Sequence, residues 1–230
     1  MVRVLAVADE VVERFWSTDL RGLGAELILG AGDLPFDYLA YLGDRLEVPC
    51  VFVPGNHDRD LTGYRRRRGL WLRAGMPVVW PGPPGAVNAD GRVVDVAGLR
   101  IAGLGGSIRY RPGPNQWTER EQASRGRRLS RLAALRRLRD GGGVDVLLTH
   151  APPRDCGDRE DPPHRGFRSL HTTVRRLRPR LLVHGHIHPF GEPVPDRELH
   201  GTRVVNAVGC RILDVPGGSR PRGKESPDAP

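Results

Sequence analysis

PRLLVHGHIH (residues 179–188) begins as an apolar run and closes with three histidines at alternate positions, His184, His186 and His188. Leu181, Leu182 and Val183 in an unbroken row suit a strand buried on both faces, as in a sheet covered by helices. Four more runs share the pattern: VRVLAVAD (2–9), AELILGAGD (25–33), VPCVFVPGN (48–56) and VDVLLTH (144–150). Each ends in a residue that can hold a metal ion. In α/β sheets functional groups gather beyond the carboxyl ends of the strands, so Asp9, Asp33, Asn56, His150, His186 and His188 are expected as neighbours. A single aspartate after a strand is commonly a turn or cap residue, and a single histidine a packing residue. Six such residues at five matching strand ends are not explained that way.

Between the runs, helices are expected at 34–46, 118–140 and roughly 167–178. The second opens on Thr118 and Glu121 in capping-box spacing and stops at Gly141. Leu129, Leu132, Leu135 and Leu138 are its expected buried stripe, with its arginines facing water. RVVDVAGLRIAGLGG (92–106) reads as two strands about an Ala97-Gly98 turn, and GTRVVNAVGCRILDV (201–215) as a second pair about Val208-Gly209. Both are expected as antiparallel additions to a mixed sheet system. One domain over residues 1–215 is expected, followed by a disordered tail over 216–230, which lacks Val, Leu, Ile and aromatic residues.

The chain has 230 residues and a formal charge of +9. Lys224 is its only lysine, so the charge is arginine, as a GC-biased coding sequence would produce without a nucleic-acid partner. Nucleic acid therefore stays a secondary expectation for the partner. No apolar run is long enough to span a membrane, and the first residues lack the pattern of a signal peptide; a soluble, cytoplasmic protein is the expectation. Cys50, Cys156 and Cys210 are too widely spaced for a zinc ribbon or redox pair. The donor set mixes carboxylate, amide and imidazole, which suits borderline first-row ions such as Mn²⁺, Fe²⁺ or Zn²⁺ better than Ca²⁺ or Mg²⁺. The lack of cysteine among the donors argues against a closed structural zinc site.

Taken in order, "AD" at 8–9, "GD" at 32–33, "GNHD" at 55–58, "TH" at 149–150 and "GHIH" at 185–188 resemble the motifs of the calcineurin-like metallophosphoesterases. The resemblance implies a four-layer α/β/β/α sandwich of two mixed sheets flanked by helices, with two divalent ions at the strand ends. It implies that Asp33 bridges the ions, that Asn56, His150 and His186 complete one site, and that Asp9 and His188 belong to the other. His57 would stand near the leaving group, oriented by Asp58. The implied activity is hydrolysis of a small phosphate ester, mono- or diester, by in-line attack of a metal-bound hydroxide. Two ions close together lower the pKa of a water and neutralise the charge that develops on the phosphoryl oxygens.

One position departs from the family. Its first motif is Asp-x-His, and the histidine would fall at residue 11, which here is Val11. Side chains alternate along a strand, so Glu10 is expected to point away from Asp9 unless the backbone turns there. The expected consequence is a weaker ion at Asp9 and His188, or one that recruits another ligand or water. The same departure leaves room for a weakly catalytic phosphate or nucleotide sensor, and the charge for a nucleic-acid-processing protein. Two loops are expected at the rim. DCGDREDPPHRGF (155–167) brings Asp161 and His164, either for substrate or as the missing ligand. GLGGSIRYRPGPNQWTE (103–119) brings Arg109 and Asn115, with backbone N–H groups of Gly105, Gly106 and Ser107 as phosphate contacts. His184, one step deeper in the apolar run, is expected to support the site from within the core, and Gly185 to let the chain turn.

Overall fold

The structure is a computed structural model that describes residues 1–191 and 194–217. Most of the tail expected to be disordered, residues 218–230, lies outside the described residues. Along the chain the elements are β1 (Val2–Ala8), β2 (Leu27–Gly30), α1 (Phe36–Leu46), β3 (Cys50–Phe52), β4 (Tyr64–Arg67), β5 (Leu70–Arg73) and β6 (Met76–Val78). They continue with β7 (Ala86–Asn88), β8 (Val93–Val96), β9 (Leu99–Leu104), β10 (Ser107–Ile108), β11 (Gln116–Trp117) and α2 (Glu119–Asp140). The last third adds β12 (Val146–Thr149), α3 (Ser169–Leu177), β13 (Leu181–His184), β14 (Arg197–Leu199), β15 (Thr202–Asn206) and β16 (Gly209–Val215).

Two mixed sheets carry the fold, one in the order β16-β1-β2-β3-β7 and one in the order β14-β15-β13-β12-β9-β8. In each the central strands run parallel, and antiparallel partners stand only at edges: β16 beside β1, β14 beside β15, β8 beside β9. The period-2 alternation of strands builds the layers. Val4, Ala6, Leu27, Leu29 and Val51 of the first sheet pack against Ile101, Val146, Leu148, Val183 and Val205 of the second. The residues between them point outward. Leu5, Val7, Ile28 and Phe52 meet Tyr38, Leu39 and Leu42 of α1, while Ala102, Leu104, Leu147 and Leu182 meet α2 and α3. This is the four-layer α/β/β/α sandwich, and its double-sided burial is why the five runs are continuously apolar.

Three sequence expectations fail, wholly or in part, for identifiable reasons. The stretch 201–215 is not a hairpin: β15 pairs in parallel with β13 in the second sheet, and β16 crosses over to pair with β1 in the first. Both strands are apolar, and local pattern cannot say which sheet a strand joins. On α2, Leu129 is buried, but Leu135 is 63% exposed and Leu138 84% exposed. Steps of three residues fall behind a 3.6-residue turn, so a stripe written only in threes rotates off the buried face. The face in use is Gln122, Gly126, Leu129 and Ala133, which mixes steps of four and three. Gly126 lets α3 come close, since a Cβ there would overlap Thr173 Oγ1. The capping box of Thr118 and Glu121 forms as expected. Not all arginines of α2 are left to solvent, because Arg125 pairs with Asp90 and Arg136 with Asp95.

Candidate metal centre

Asp9, Asp33 and Asn56 leave strands of the first sheet, and His150 and His186 leave strands of the second, so the carboxyl ends of both sheets converge on one place. Asp9, Asp33, His150 and His186 each offer a ligand atom, and these atoms all lie within 4.8 Å of one another. Three of the four take left-handed backbone conformations that non-glycine residues seldom adopt: Asp9 at φ 58°, Asp33 at φ 55° and His186 at φ 70°. Such strain costs on the order of 1–3 kcal/mol per residue and persists where surrounding structure enforces it. Here the enforcement is visible. Asp33 N–H donates to Asp58 Oδ2 at 3.0 Å, Gly55 N–H donates to the same oxygen at 2.7 Å, and His57 N–H donates to Asp33 Oδ1 at 2.8 Å. His186 N–H donates to Asp9 Oδ2 at 2.8 Å.

Glycines clear the space that the carboxylates occupy. A Cβ at Gly55 would overlap Asp33 Oδ1, and a Cβ at Gly185 would overlap Asp9 Oδ2. Gly185 is therefore needed for close approach. The turn expected at Gly185 is made by His186, which is left-handed.

His150 is fully buried. Its Nδ1 lies 2.7 Å from the Ala31 carbonyl and must carry the proton donated there, so Nε2 faces Asn56 Oδ1 at 3.0 Å and Asp33 Oδ2 at 3.3 Å. Three lone-pair donors thus point at one another, an arrangement that requires a proton or a cation between them. His186 is similar: its Nε2 lies 2.8 Å from the Pro163 carbonyl, which leaves Nδ1 for another partner. A carbonyl behind a histidine is the usual way a protein fixes the tautomer of a metal ligand. The oxygen and nitrogen donors suit a first-row divalent ion. Tyr110, which the sequence did not mark, accepts from Asn56 Nδ2 at 3.4 Å and so keeps the amide oxygen turned inward.

The electrostatics follow from this packing. Burial opposes charge on Asp33, but the neighbouring His150 and its hydrogen bond outweigh it and hold the carboxyl at about 2. Burial likewise opposes charge on His150, yet Asp33 holds its imidazolium up to about 9. Burial raises Asp9 above the ordinary carboxylate range against the pull of His150, and burial together with His150 pushes His186 down to about 3. In the ion-free protein a proton on His150 Nε2 thus occupies the place of a cation. Binding a divalent ion near neutral pH should expel it. Calorimetry in buffers of differing ionisation enthalpy is expected to read release of about one proton per tightly bound ion at pH 7, fading as pH rises past the folded value. No release at pH 7 would mean that no proton stands on His150 Nε2 in the ion-free protein.

The other sequence candidates divide. His57 is exposed at the site, while Asp58 accepts from backbone N–H groups of Asp33 and Gly55, so its carboxylate closes the loop rather than orienting the His57 ring. Burial raises Asp58 to about 6. Arg109 donates to both carboxylate oxygens of Glu121 and to the Gln116 carbonyl, which commits it to the start of α2 instead of to a phosphate. Asn115 Nδ2 donates to the Asp58 carbonyl at 3.1 Å and braces the same loop. The N–H groups of Gly105, Gly106 and Ser107 go to Asp90, Pro54 and Asn115, so they are already used within the protein. His164 does reach the centre: its ring lies 5.3 Å from that of His186, and its Nδ1 pairs with Asp161. His184 is buried with Nδ1 on the Gly185 carbonyl, and burial pushes it down to about 4. His188 is turned to Glu10, with Nδ1 2.7 Å from Oε1, and stands outside the group of four.

The model of the calcineurin-like phosphoesterase family matches residues 12–190. The chain belongs to that family. Its match begins just after the departing stretch Asp9-Glu10-Val11. A protein of Haemophilus influenzae, itself uncharacterized, is 28% identical over 192 residues, which cover 74% of each chain. The solved structure of TT1561 of Thermus thermophilus superposes with a TM-score of 0.54 at 17% identity, covering 90% of this chain and 89% of that one. Another solved chain superposes with a TM-score of 0.58 at 14% identity, covering 92% of this chain and 98% of its own. At these identities the superpositions speak to the fold. Among the described residues no helix is long and apolar enough to cross a membrane.

Proposed function

We propose that this chain is a metal-dependent hydrolase of small phosphate esters, mono- or diesters. The convergence of His150 Nε2, Asp33 Oδ2 and Asn56 Oδ1 on one point, with His186 and Asp9 beside it, carries the reading. Asp33, Asn56, His150 and His186 would hold the tighter ion, manganese first among the candidates with iron and zinc as alternatives, and Asp9 and His188 a weaker second one. When bound, the ions supply Lewis acidity for the phosphoryl oxygens and a water of lowered pKa. The remaining tasks fall to side chains around them. His57, fixed through its backbone to Asp33, is exposed and free to give a proton to the departing oxygen. His164, braced by Asp161 beside His186, would donate to a phosphoryl oxygen.

The test is turnover of nitrophenyl mono- and diester reporters by full-length protein stripped of metal and reloaded with Mn²⁺, Fe²⁺ or Zn²⁺. Ion-dependent turnover that a chelator abolishes is expected. If no ion gives turnover while nucleotides still raise the melting temperature, the protein is a sensor and the proposal fails.

A further inference from the structure

We propose that Glu10 replaces the missing histidine and is a ligand of the second ion, together with Asp9 and His188. The inference rests on the phosphoesterase reading above. Its first support is the backbone. Asp9 is left-handed and Glu10 N–H donates to the Ala8 carbonyl at 2.6 Å, a tight turn that ends the strand alternation one residue early. The turn leaves Val11 half-buried against the outer core that holds Phe15, Leu20 and Tyr38, and the next residue is tied down where Val12 N–H donates to the Tyr38 hydroxyl at 3.2 Å. Position 11 therefore packs the domain and offers nothing to a metal. The same turn throws Glu10 to the other side, against His188, across 178 residues of sequence.

The second support is that the two segments are locked together. Gly185 admits Asp9 Oδ2 because it has no Cβ, His186 N–H donates to that oxygen, and Arg159 Nη2 donates to the His188 carbonyl at 2.6 Å. Glu10 and His188 are thus held at the edge of the buried donors, half exposed, with Oε1 and Nδ1 2.7 Å apart. Two ligands at about 2.1 Å from one ion stand roughly 3 Å apart at a right angle, so a small opening of this pair admits an ion. Asp161, the other acid considered for the missing ligand, is engaged by His164, whereas Glu10 already lies against His188, and so Glu10 is the better placed carboxylate.

The experiment titrates metal-stripped full-length protein with Mn²⁺ by calorimetry and measures retained metal by mass spectrometry. Wild type is expected to bind two ions, one tight and one weaker. Glu10→Ala should keep the tight ion and lose the weaker one, or weaken it by about 100-fold or more, beyond what loss of an orienting neighbour alone brings about. Glu10→Gln, which can still accept from His188 Nδ1–H, should behave like Glu10→Ala. Melting in chelator at the wild-type temperature verifies that both variants fold. A second ion retained in Glu10→Ala overturns the proposal, and one retained only in Glu10→Gln reduces Glu10 to orienting His188, which overturns it as well. One ion in wild type and the same one in Glu10→Ala also overturns it while leaving the phosphoesterase reading intact. No ion in wild type ends both.

Discussion

Asp33→Asn should lower turnover of phosphate esters by about 10³-fold or more and strip the protein of its tightly held ion. Several kcal/mol of charge stabilisation by bound ions are at stake, and each 1.4 kcal/mol is about tenfold in rate. Asparagine is the informative substitution for two reasons. Residue 33 sits at φ 55°, a conformation that asparagine tolerates better than alanine. Its side-chain oxygen can still accept from His57 N–H, so the loop at 55–58 keeps its anchor. What disappears is the negative charge that faces His150 and that a divalent ion needs. Metal content and turnover should therefore fall, while melting in chelator drops by no more than the loss of the buried Asp33–His150 pair accounts for. Wild-type metal content and turnover in the Asp33→Asn variant would remove Asp33 from the centre.

The parts of this centre that could be read from sequence are those written locally. An apolar run followed at once by a donor is both a strand and its end, and five such runs placed Asp9, Asp33, Asn56, His150 and His186 at the carboxyl ends of two sheets. The capping box of Thr118 and Glu121 was legible for the same reason, since both halves lie within one turn. Contacts made by backbone groups or by distant chain were not legible. Pro163 supplies a carbonyl to His186 and Ala31 one to His150, and a carbonyl carries no sequence mark. Arg109 looked like a phosphate ligand until Glu121 appeared beside it. Glu10 was expected to point away unless the backbone turned there, and the left-handed turn at Asp9 that ends the strand alternation was not itself legible. That turn depends on Gly185 making room for a carboxylate 176 positions earlier in the chain, which no window around residue 10 contains.

His57→Ala should leave metal content untouched and lower turnover according to the leaving group. The ring of His57 takes no part in the converging donor set; only its backbone N–H does, and alanine keeps that N–H on Asp33 Oδ1. A general acid typically contributes about 10²–10⁴-fold when the leaving group needs a proton. An alkyl phosphate expels an alkoxide, so its hydrolysis should fall by about 10²-fold or more. A nitrophenyl phosphate expels an anion that is stable without protonation, and its hydrolysis should change by a few-fold at most. The contrast between the two esters is decisive, because a variant that merely disturbed the loop would slow both alike. Asp58 sharpens the comparison. Its carboxylate holds the N–H groups of Asp33 and Gly55 and not the His57 ring, so Asp58→Asn should slow both esters together and weaken the ion, the pattern of a residue that shapes the loop. Equal losses on both esters in His57→Ala would assign His57 to that same structural role and leave the proton to another group, for which His164, with its ring 5.3 Å from that of His186, is a candidate.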